Sequence, residues 1–366
     1  MPTNGEIFVI WRYLQRRRFS DAMIWALIAK KYQERQIRES YYMPFEFDID
    51  LITDQQFVEQ FRFTRAEFME LLVHFELNTI IYRDRRSPSE ELAFAILLQR
   101  LSFPHRIRDL EVFFGMAYGP ISSIFNDVLQ HIYKRYKTML DWHPSLTHER
   151  CSQYAAIFEQ QGGIPGCWAC VDGTFRAFCR PIRNQRIYYS GYKKKHGFKY
   201  QGIVTPDGLI LSLKGPVEGK CSDITLFRIM NTAAKLQELQ SENEPLYLYG
   251  DIAYQSCFGV ITAFRQNQQR TMSVNCFNDW HASHRITIEQ MFGATIMQWQ
   301  ANSLTTNLRS LSQSVAAWYA VSVLLINCLS CLRGNCSSAR YKINTMSLRE
   351  YLIADIEVIL NNIHTN

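Results

Sequence analysis

The most constraining feature of the sequence is a short apolar run, residues 168–175, that carries a single carboxylate, Asp172. An apolar run of this length that is bounded by glycine is typical of a buried β-strand. A buried, unpaired carboxylate costs free energy or gives up its charge, so Asp172 needs a partner. A metal ion is one such partner, and a turn at Asp172-Gly173 that returns the side chain to water is the alternative.

A second carboxylate, Asp251, has the same setting as Asp172. It ends an apolar strand predicted over residues 245–251, and it is also next to a glycine. The alternative is that Asp251 only caps the helix that follows it. A further acid, Asp223, lies at the start of a predicted helix, where the sequence favours an N-cap over a metal ligand.

A third carboxylate of this kind, Glu289, is predicted on a helix over residues 284–299. Offsets of three and seven residues place it on the apolar stripe of that helix, so its side chain is predicted to point toward the interior. The other members of the stripe are Ile286, Phe292 and Ile296. An ion pair with Arg285, four residues earlier, is the alternative.

Asp172, Asp251 and Glu289 would repel one another on buried surfaces, and a hard divalent cation with oxygen ligands relieves that repulsion. Magnesium typically binds through few carboxylates, several waters and substrate phosphate. Two such ions about 3.5–4 Å apart can activate an attacking oxygen and stabilise a leaving one. The three acids are therefore candidate ligands of a catalytic metal, with Mg²⁺ expected and Mn²⁺ as the alternative.

A basic stretch without acids follows the first carboxylate. Between Gly173 and Tyr200 there are eight Lys and Arg residues and no Asp or Glu. The eight are Arg176, Arg180, Arg183, Arg186, Lys193, Lys194, Lys195 and Lys199. Aromatic residues are interleaved with them, and this combination suits phosphates held by cations and bases stacked on rings. The stretch predicts a groove for a polyanion, with a solvated strand face as the alternative.

Composition supports an intracellular, multi-domain protein. The chain has 366 residues, of which 47% are hydrophobic, and this length predicts about two to three domains. Its net charge of +6 favours an anionic partner. The ten cysteines occur without a secretory signal, so we expect reduced thiols rather than disulfides. A zinc site built from the close cysteine pairs at 167/170 and 328/331 is the alternative to burial.

The N-terminal part is predicted to be helical. Residues 6–40 are basic, which indicates either a phosphate-binding or nuclear-import patch or a solvated helix face. The acidic residues 46–59 suggest a boundary. Residues 107–132 have the layout of a helix-turn-helix, although ordinary helical hairpins share it. The exposed face of its second helix would carry Ser122, Ser123 and Asn126.

From about residue 165 the pattern changes to strands mixed with helices, which predicts a mixed sheet with helices on its faces. Strands are predicted over residues 167–180, 198–205, 208–215, 245–251 and 270–276. Helices are predicted over residues 224–239, 284–299, 311–332 and 347–363. The apolar stretch 315–332 is slightly short for a membrane span and contains Asn327, so a buried core helix is favoured and no membrane is expected.

Several motifs occur in a fixed order between about residues 165 and 335. They are Val171-Asp172-Gly173-Thr174, Cys179-Arg180-Pro181, Asn184-Gln185, Tyr189-Ser190-Gly191-Tyr192-Lys193, His196-Gly197-Phe198-Lys199, Thr205-Pro206-Asp207-Gly208, Gly215-Pro216-Val217-Glu218-Gly219, Gly250-Asp251 and Ile288-Glu289-Gln290-Met291-Phe292-Gly293. In this order they resemble the DDE-superfamily endonucleases of the PIF/Harbinger transposase type. One departure is Ser222-Asp223, where that family usually has His-Asp.

The resemblance implies an RNase H-like core of α/β (α+β) class, preceded by helices, with Asp172, Asp251 and Glu289 as the metal-binding triad. It implies a metal-dependent DNA endonuclease, located in the nucleus or shared between nucleus and cytoplasm, that works with a separately encoded Myb-like protein. Homo-oligomers are possible. A catalytically silent DNA-binding descendant is the alternative. A small-phosphate hydrolase would leave the basic stretch unexplained.

The expected domains are a basic helical arm over residues 1–45, a DNA-binding helical region over 46–145, the nuclease domain over 160–335 and a C-terminal helix over 336–366.

Overall fold

A mixed six-stranded sheet with helices on its faces follows a helical N-terminal region, which confirms the predicted fold class. The structure is a computed structural model that describes residues 11–33, 44–83, 87–265, 271–303, 308 and 315–352. The outer parts of the helices predicted over residues 6–40 and 347–363 lie outside these residues.

The N-terminal helices begin where the sequence supplies caps. They are α1 (Asp21–Gln33), α2 (Asp54–Phe61), α3 (Arg65–Phe75), α4 (Glu90–Ser102), α5 (Leu110–Phe114), α6 (Tyr118–Asp141) and α7 (His148–Gln160). A capping box of Thr64 and Glu67 is present at the start of α3. Ser89 caps α4 by accepting a hydrogen bond from the backbone N–H of Leu92. Capping satisfies backbone N–H groups that have no partner within the helix.

The predicted helix-turn-helix corresponds to α5 and α6. Gly115, at φ 59°, ends α5 in the left-handed region that favours glycine. The second helix starts at Tyr118 and continues to Asp141, well beyond the predicted end. Ser122, Ser123 and Asn126 are half-buried rather than exposed. This face of α6 is therefore less open than predicted.

The sheet consists of β1 (Cys167–Ala177), β2 (Tyr189–Ser190), β3 (Lys195–Val204), β4 (Ile210–Glu218), β5 (Tyr247–Gly250) and β6 (Val260–Thr262). The strand β3 pairs antiparallel with β1 on one side and with β2 and β4 on the other. The strands β1, β5 and β6 run parallel to one another, and β3 runs opposite to each of its neighbours. Short helices α8 (Gln185–Tyr188), α9 (Asp223–Ile229) and α10 (Thr232–Glu238) connect the strands. The sequence predicted one helix over 224–239, but Asn231 at φ 53° separates two.

In the described residues the sheet is followed by α11 (Met272–Gln298), α12 (Val315–Arg333) and α13 (Cys336–Tyr341), and residues 348–352 begin the helix predicted over residues 347–363. The strand predicted over residues 270–276 is wrong, because Thr271 caps α11 and residues 272–276 form its first turns; residue 270 lies outside the described part. The helix α12 is long and apolar enough to cross a membrane, yet 83% of its most apolar part is buried inside the protein. The Asn327 side chain bonds both backbone groups of Ile210 on β4. We therefore assign α12 as a core helix.

All ten cysteines are free thiols, as expected, and Cys167, Cys170 and Cys328 are buried.

Candidate nuclease site

The register of two parallel strands brings Asp172 and Asp251 together. Val171 of β1 is paired with Gly250 of β5, so each aspartate directly follows one member of this pair. Neighbouring strands are about 4.8 Å apart, which places the two carboxylates on adjacent backbones at one position along the sheet. Asp172 is not in a turn, because β1 continues to Ala177. Asp251 also caps the short 3₁₀ turn that follows it, with its Oδ1 2.6 Å from the N of Ile252.

The carboxylate of Asp172 is mostly buried and has two hydrogen-bond donors. Its Oδ1 accepts from the backbone N–H of Gly173 at 2.7 Å, and its Oδ2 accepts from the guanidinium of Arg285 at 3.1 Å. Burial raises the pKa of Asp172, Arg285 and the Gly173 N–H lower it, and the charges of Asp251 and Asp223 raise it, which leaves it at about 6. The protein therefore holds Asp172 ionised at neutral pH at a cost in free energy.

This pKa predicts how the stability of the metal-free protein depends on pH. The folded value of about 6 lies above the unfolded value of 3.8, so stability contributed by Asp172 is lost as pH rises through that interval. In EDTA at pH 8 we expect Asp172→Asn to raise the free energy of unfolding by on the order of 2 kcal/mol. The gain should vanish toward pH 4. Chemical denaturation across this range checks it, and a difference that is independent of pH would contradict the assignment.

Asp223 lies in the same cleft, although the sequence favoured it as an N-cap. The N-cap of α9 is Ser222, whose hydroxyl accepts from the N of Thr225, and Asp223 is the first helical residue. Its Oδ1 is buried and has no hydrogen-bond partner, apart from the ion pair with the Nζ of Lys199 at 2.9 Å. A Cβ on Gly173 would lie 1.9 Å from this oxygen. Only glycine at position 173 leaves room for the carboxylate in this position.

Glu289 lies on α11 but does not point toward the interior as predicted. Its side chain is 60% exposed, and its Oε1 lies 3.6 Å from the guanidinium of Arg285. The buried stripe of α11 includes His284, Ile288 and Met291, and it shares Phe292 with the predicted stripe. The predicted stripe is rotated from this one, since its member Ile286 is 40% exposed. The alternative pairing of Glu289 with Arg285 is therefore present.

Packing of α11 on the sheet brings these two residues close to Asp172. Gly202 of β3 is the register partner of Asp172 on β1. The ring of Phe292 occupies the space above Gly202, where a Cβ would lie 2.6 Å from it. The missing side chain at Gly202 thus lets the helix approach the sheet beside the carboxylate.

An open cleft of about 760 Å³ contains Asp172, Asp223 and Asp251. Four of the eight basic residues of the stretch line it, namely Arg176, Lys193, Lys195 and Lys199. Arg176 and Lys199 are half-buried and have partners within the protein. The guanidinium of Arg176 bonds the Thr174 hydroxyl and lies 4.7 Å from the centre of the Tyr319 ring, and Lys199 pairs with Asp223. Lys193 and Lys195 are exposed at the wall of the cleft.

The other four basic residues are exposed outside the lining of the cleft. Arg180 donates a hydrogen bond to the side chain of Gln185, 2.9 Å away. The remaining three are Arg183, Arg186 and Lys194. The exposed aromatic ring of Tyr192 also lines the cleft, next to Lys193.

The donor set of the cleft fits a hard divalent cation better than a soft one, because it offers carboxylate oxygens and no thiolate or imidazole cluster. Three carboxylates share this cleft, and the raised pKa of Asp172 indicates negative charge that is incompletely balanced. Within the part of the chain that the structure describes, however, no group of three or more His, Cys, Asp or Glu side chains is close enough to hold a metal ion. The donor atoms of the cleft therefore suit a hard divalent cation by their chemistry. The guanidinium of Arg285, however, lies beside two of the candidate ligands, Asp172 and Glu289.

The positions of two residues of this site, Asp223 and Arg285, were not predicted from the sequence. The sequence pattern favours an N-cap role for Asp223, because Ser222 and Asp223 are both good N-cap residues. The feature that could have indicated a role in the site is the departure at Ser222-Asp223 from the His-Asp of the family motif. Arg285 enters only as the neighbour of Glu289, and nothing in the local pattern indicates its contact with Asp172, which is 113 residues away in the sequence.

Comparison with known proteins agrees with this geometry. Residues 171–327 match the family described as DDE superfamily endonuclease. No match was found among curated proteins or among solved structures. The matched segment runs from β1 into α12 and contains all four acids discussed above. Over residues 171–327, which are less than half of its length, the chain is similar to DDE superfamily endonucleases.

Proposed function

We propose that the protein is a metal-dependent DNA endonuclease of the transposase type, within the PIF/Harbinger group, that hydrolyses phosphodiester bonds. The observation that carries this proposal is the placement of Asp172 and Asp251 at adjacent positions of parallel strands, in a cleft with lysines on its wall. The match of residues 171–327 to DDE superfamily endonucleases supports it. DNA is the substrate that this class of enzyme implies.

Asp172, Asp251 and Glu289 are the proposed ligands of the metal, which we take to be Mg²⁺ or Mn²⁺. When bound there, such a cation would stabilise charge on the phosphate and favour an ionised attacking oxygen. The buried wall formed by β1 would fix Asp172, and the backbone N–H of Gly173 would hold one of its oxygens in place. Asp223 would add negative charge to the opposite side of the site, held by Lys199. The nicking assay in the Discussion tests this assignment.

Lys193 and Lys195 are the proposed contacts to the DNA backbone inside the cleft. We expect the double variant Lys193→Gln/Lys195→Gln to bind DNA about tenfold more weakly. The slope of log affinity against log salt should fall by about 2, because each lysine neutralises one phosphate. Anisotropy titrations at several salt concentrations in Ca²⁺ measure both quantities. Lys342→Gln/Arg349→Gln removes two exposed charges outside the proposed DNA-binding regions and is the matched control. An equal weakening in the control would assign the effect to net charge.

Tyr192 is the proposed base-stacking residue of the cleft. Its side chain is 88% exposed at the tip of the β2–β3 hairpin, and the Nζ of Lys193 lies 4.9 Å from its ring centre. We expect Tyr192→Ala to weaken binding of DNA that has unpaired nucleotides by about 1–3 kcal/mol, because stacking on a ring stabilises an unpaired base. Tyr192→Phe should bind like the parent. Equal effects on paired and unpaired DNA would argue against stacking.

A catalytically silent, transposase-derived DNA-binding protein is the second candidate function. It is favoured by the contacts of Arg285 with Asp172 and Glu289, which fill the space between two proposed ligands. Binding without cleavage at any divalent metal concentration would support it.

The helical region over residues 46–145 would help to recognise DNA ends, and the basic residues 16–18 would add phosphate contacts. A Myb-like accessory protein, homo-oligomers and a nuclear location complete the proposal, with no membrane involved.

A further inference from the structure

Arg285 contacts a carboxylate of the cleft, Asp172, although it is not one of the residues that line the cleft. It lies on α11 with a side chain that is only 15% exposed. Its Nη2 atom lies 3.1 Å from Asp172 Oδ2 and 3.6 Å from Glu289 Oε1. A single nitrogen therefore stands between two carboxylates that belong to different elements, the strand β1 and the helix α11.

The guanidinium of Arg285 is only partly satisfied by these two carboxylates. Its Nε–H is buried and has no hydrogen-bond partner, which costs free energy in this side-chain position. Meanwhile Asp172, Asp223 and Asp251 share one cleft, and Lys199 is paired with Asp223. Arg285 is thus the cation that balances Asp172, even though its own hydrogen-bonding capacity is only partly used.

We infer that Arg285 is a built-in counterion that occupies the space between Asp172 and Glu289 and withdraws from it when a divalent cation binds. This inference rests on the proposed function. A cation held by the two carboxylates would lie about 2.0–2.6 Å from their oxygens. The guanidinium now lies close to that space, and two positive charges a few ångströms apart repel strongly at a partly buried site. Arg285 is accordingly a positioning residue that orders Asp172 and lowers the affinity for metal.

The consequence is a site that stays ordered without metal and takes up metal only when the guanidinium can be displaced. A phosphate group of a bound substrate is one anion that could receive the displaced guanidinium, since Arg binds phosphate in bidentate geometry.

The test is Mn²⁺ binding in the absence of DNA, measured by electron paramagnetic resonance of the free ion. Arg285→Gln removes the charge and keeps much of the side chain, Arg285→Lys keeps the charge, and Asp279→Asn alters an exposed acid of the same helix as the control. We expect Arg285→Gln to bind Mn²⁺ at least about tenfold more tightly than the parent, with Arg285→Lys and Asp279→Asn close to the parent.

Equal or weaker binding by a folded Arg285→Gln overturns the inference and leaves the proposed function in place, provided that the parent binds and Asp172→Asn does not. If neither the parent nor Arg285→Gln exceeds Asp172→Asn, both proposals fail. If Arg285→Gln does not fold, a measurement on the parent protein tests the inference instead. The Arg285 Nε–H signal in ¹⁵N spectra, assigned by its loss in Arg285→Lys, should shift on addition of Mg²⁺, and a signal that does not move overturns the inference.

Discussion

Replacing Asp172 with asparagine is expected to reduce metal-dependent nicking of supercoiled DNA by roughly 10³-fold or more, the scale seen when one electrostatic contact to a transition state is removed. Asparagine has nearly the same shape but lacks the charge that a hard cation requires. Relaxation of a supercoiled plasmid, followed over time with Mg²⁺ and with Mn²⁺, measures the loss. Asp251→Asn should behave in the same way, because the two residues are adjacent across β1 and β5.

The control for this experiment is Asp279→Asn, which changes an exposed acid of α11. It should nick at the rate of the parent. Thermal melting of each variant separates loss of chemistry from loss of fold, and Asp172→Asn is expected to be at least as stable as the parent at pH 8. Equal nicking by the parent and Asp172→Asn, or nicking that survives EDTA, would contradict the assigned role of the carboxylate.

The second large effect is expected from Gly173→Ala, which displaces Asp223 without removing it. The new Cβ would lie 1.9 Å from Asp223 Oδ1, so the carboxylate has to leave its place beside Lys199. The atom that gives way is the end of a side chain rather than backbone, so we expect a change in the free energy of unfolding below about 1.5 kcal/mol. Nicking should nevertheless fall by roughly 10²-fold if Asp223 belongs to the site.

Two variants calibrate this prediction. Asp223→Asn should reduce nicking by a similar factor. The double variant Gly173→Ala/Asp223→Asn should nick only slightly more slowly than either single variant, because both changes act on one carboxylate. Gly293→Ala, where a Cβ would meet nothing within 4 Å, controls for the replacement of a glycine. If Gly173→Ala nicks normally while Asp223→Asn does not, the carboxylate tolerates displacement, and the close approach to Gly173 has no functional role.

The sequence predicted the parts of the site that depend on local pattern. Asp172 and Asp251 each follow an apolar run next to a glycine, and parallel pairing of those two runs is enough to place them side by side. The direction of Glu289 was predicted wrongly, because an apolar stripe read from one helix does not show which of its residues the sheet covers. The start of α11 was missed for a related reason, since a polar and aromatic segment carries no clear helical period.

The contact of Arg285 with Asp172 and the position of Asp223 beside Gly173 could not be predicted from the sequence pattern. Each joins elements far apart in the sequence, and each depends on a glycine that lets two elements approach. Gly202 admits Phe292 of α11, and Gly173 admits the carboxylate of α9. A glycine in the sequence does not indicate which group will occupy the space beside it. These contacts therefore follow from tertiary packing alone.

The most direct test of a metal-dependent nuclease site is the anomalous scattering of crystals soaked in Mn²⁺. We expect a manganese peak in the cleft, within about 2.0–2.6 Å of oxygens of both Asp172 and Asp251, with Arg285 withdrawn from Asp172. A well-ordered cleft without manganese at millimolar soaking concentrations, in which Arg285 still contacts Asp172 and Glu289, would contradict the proposed metal site.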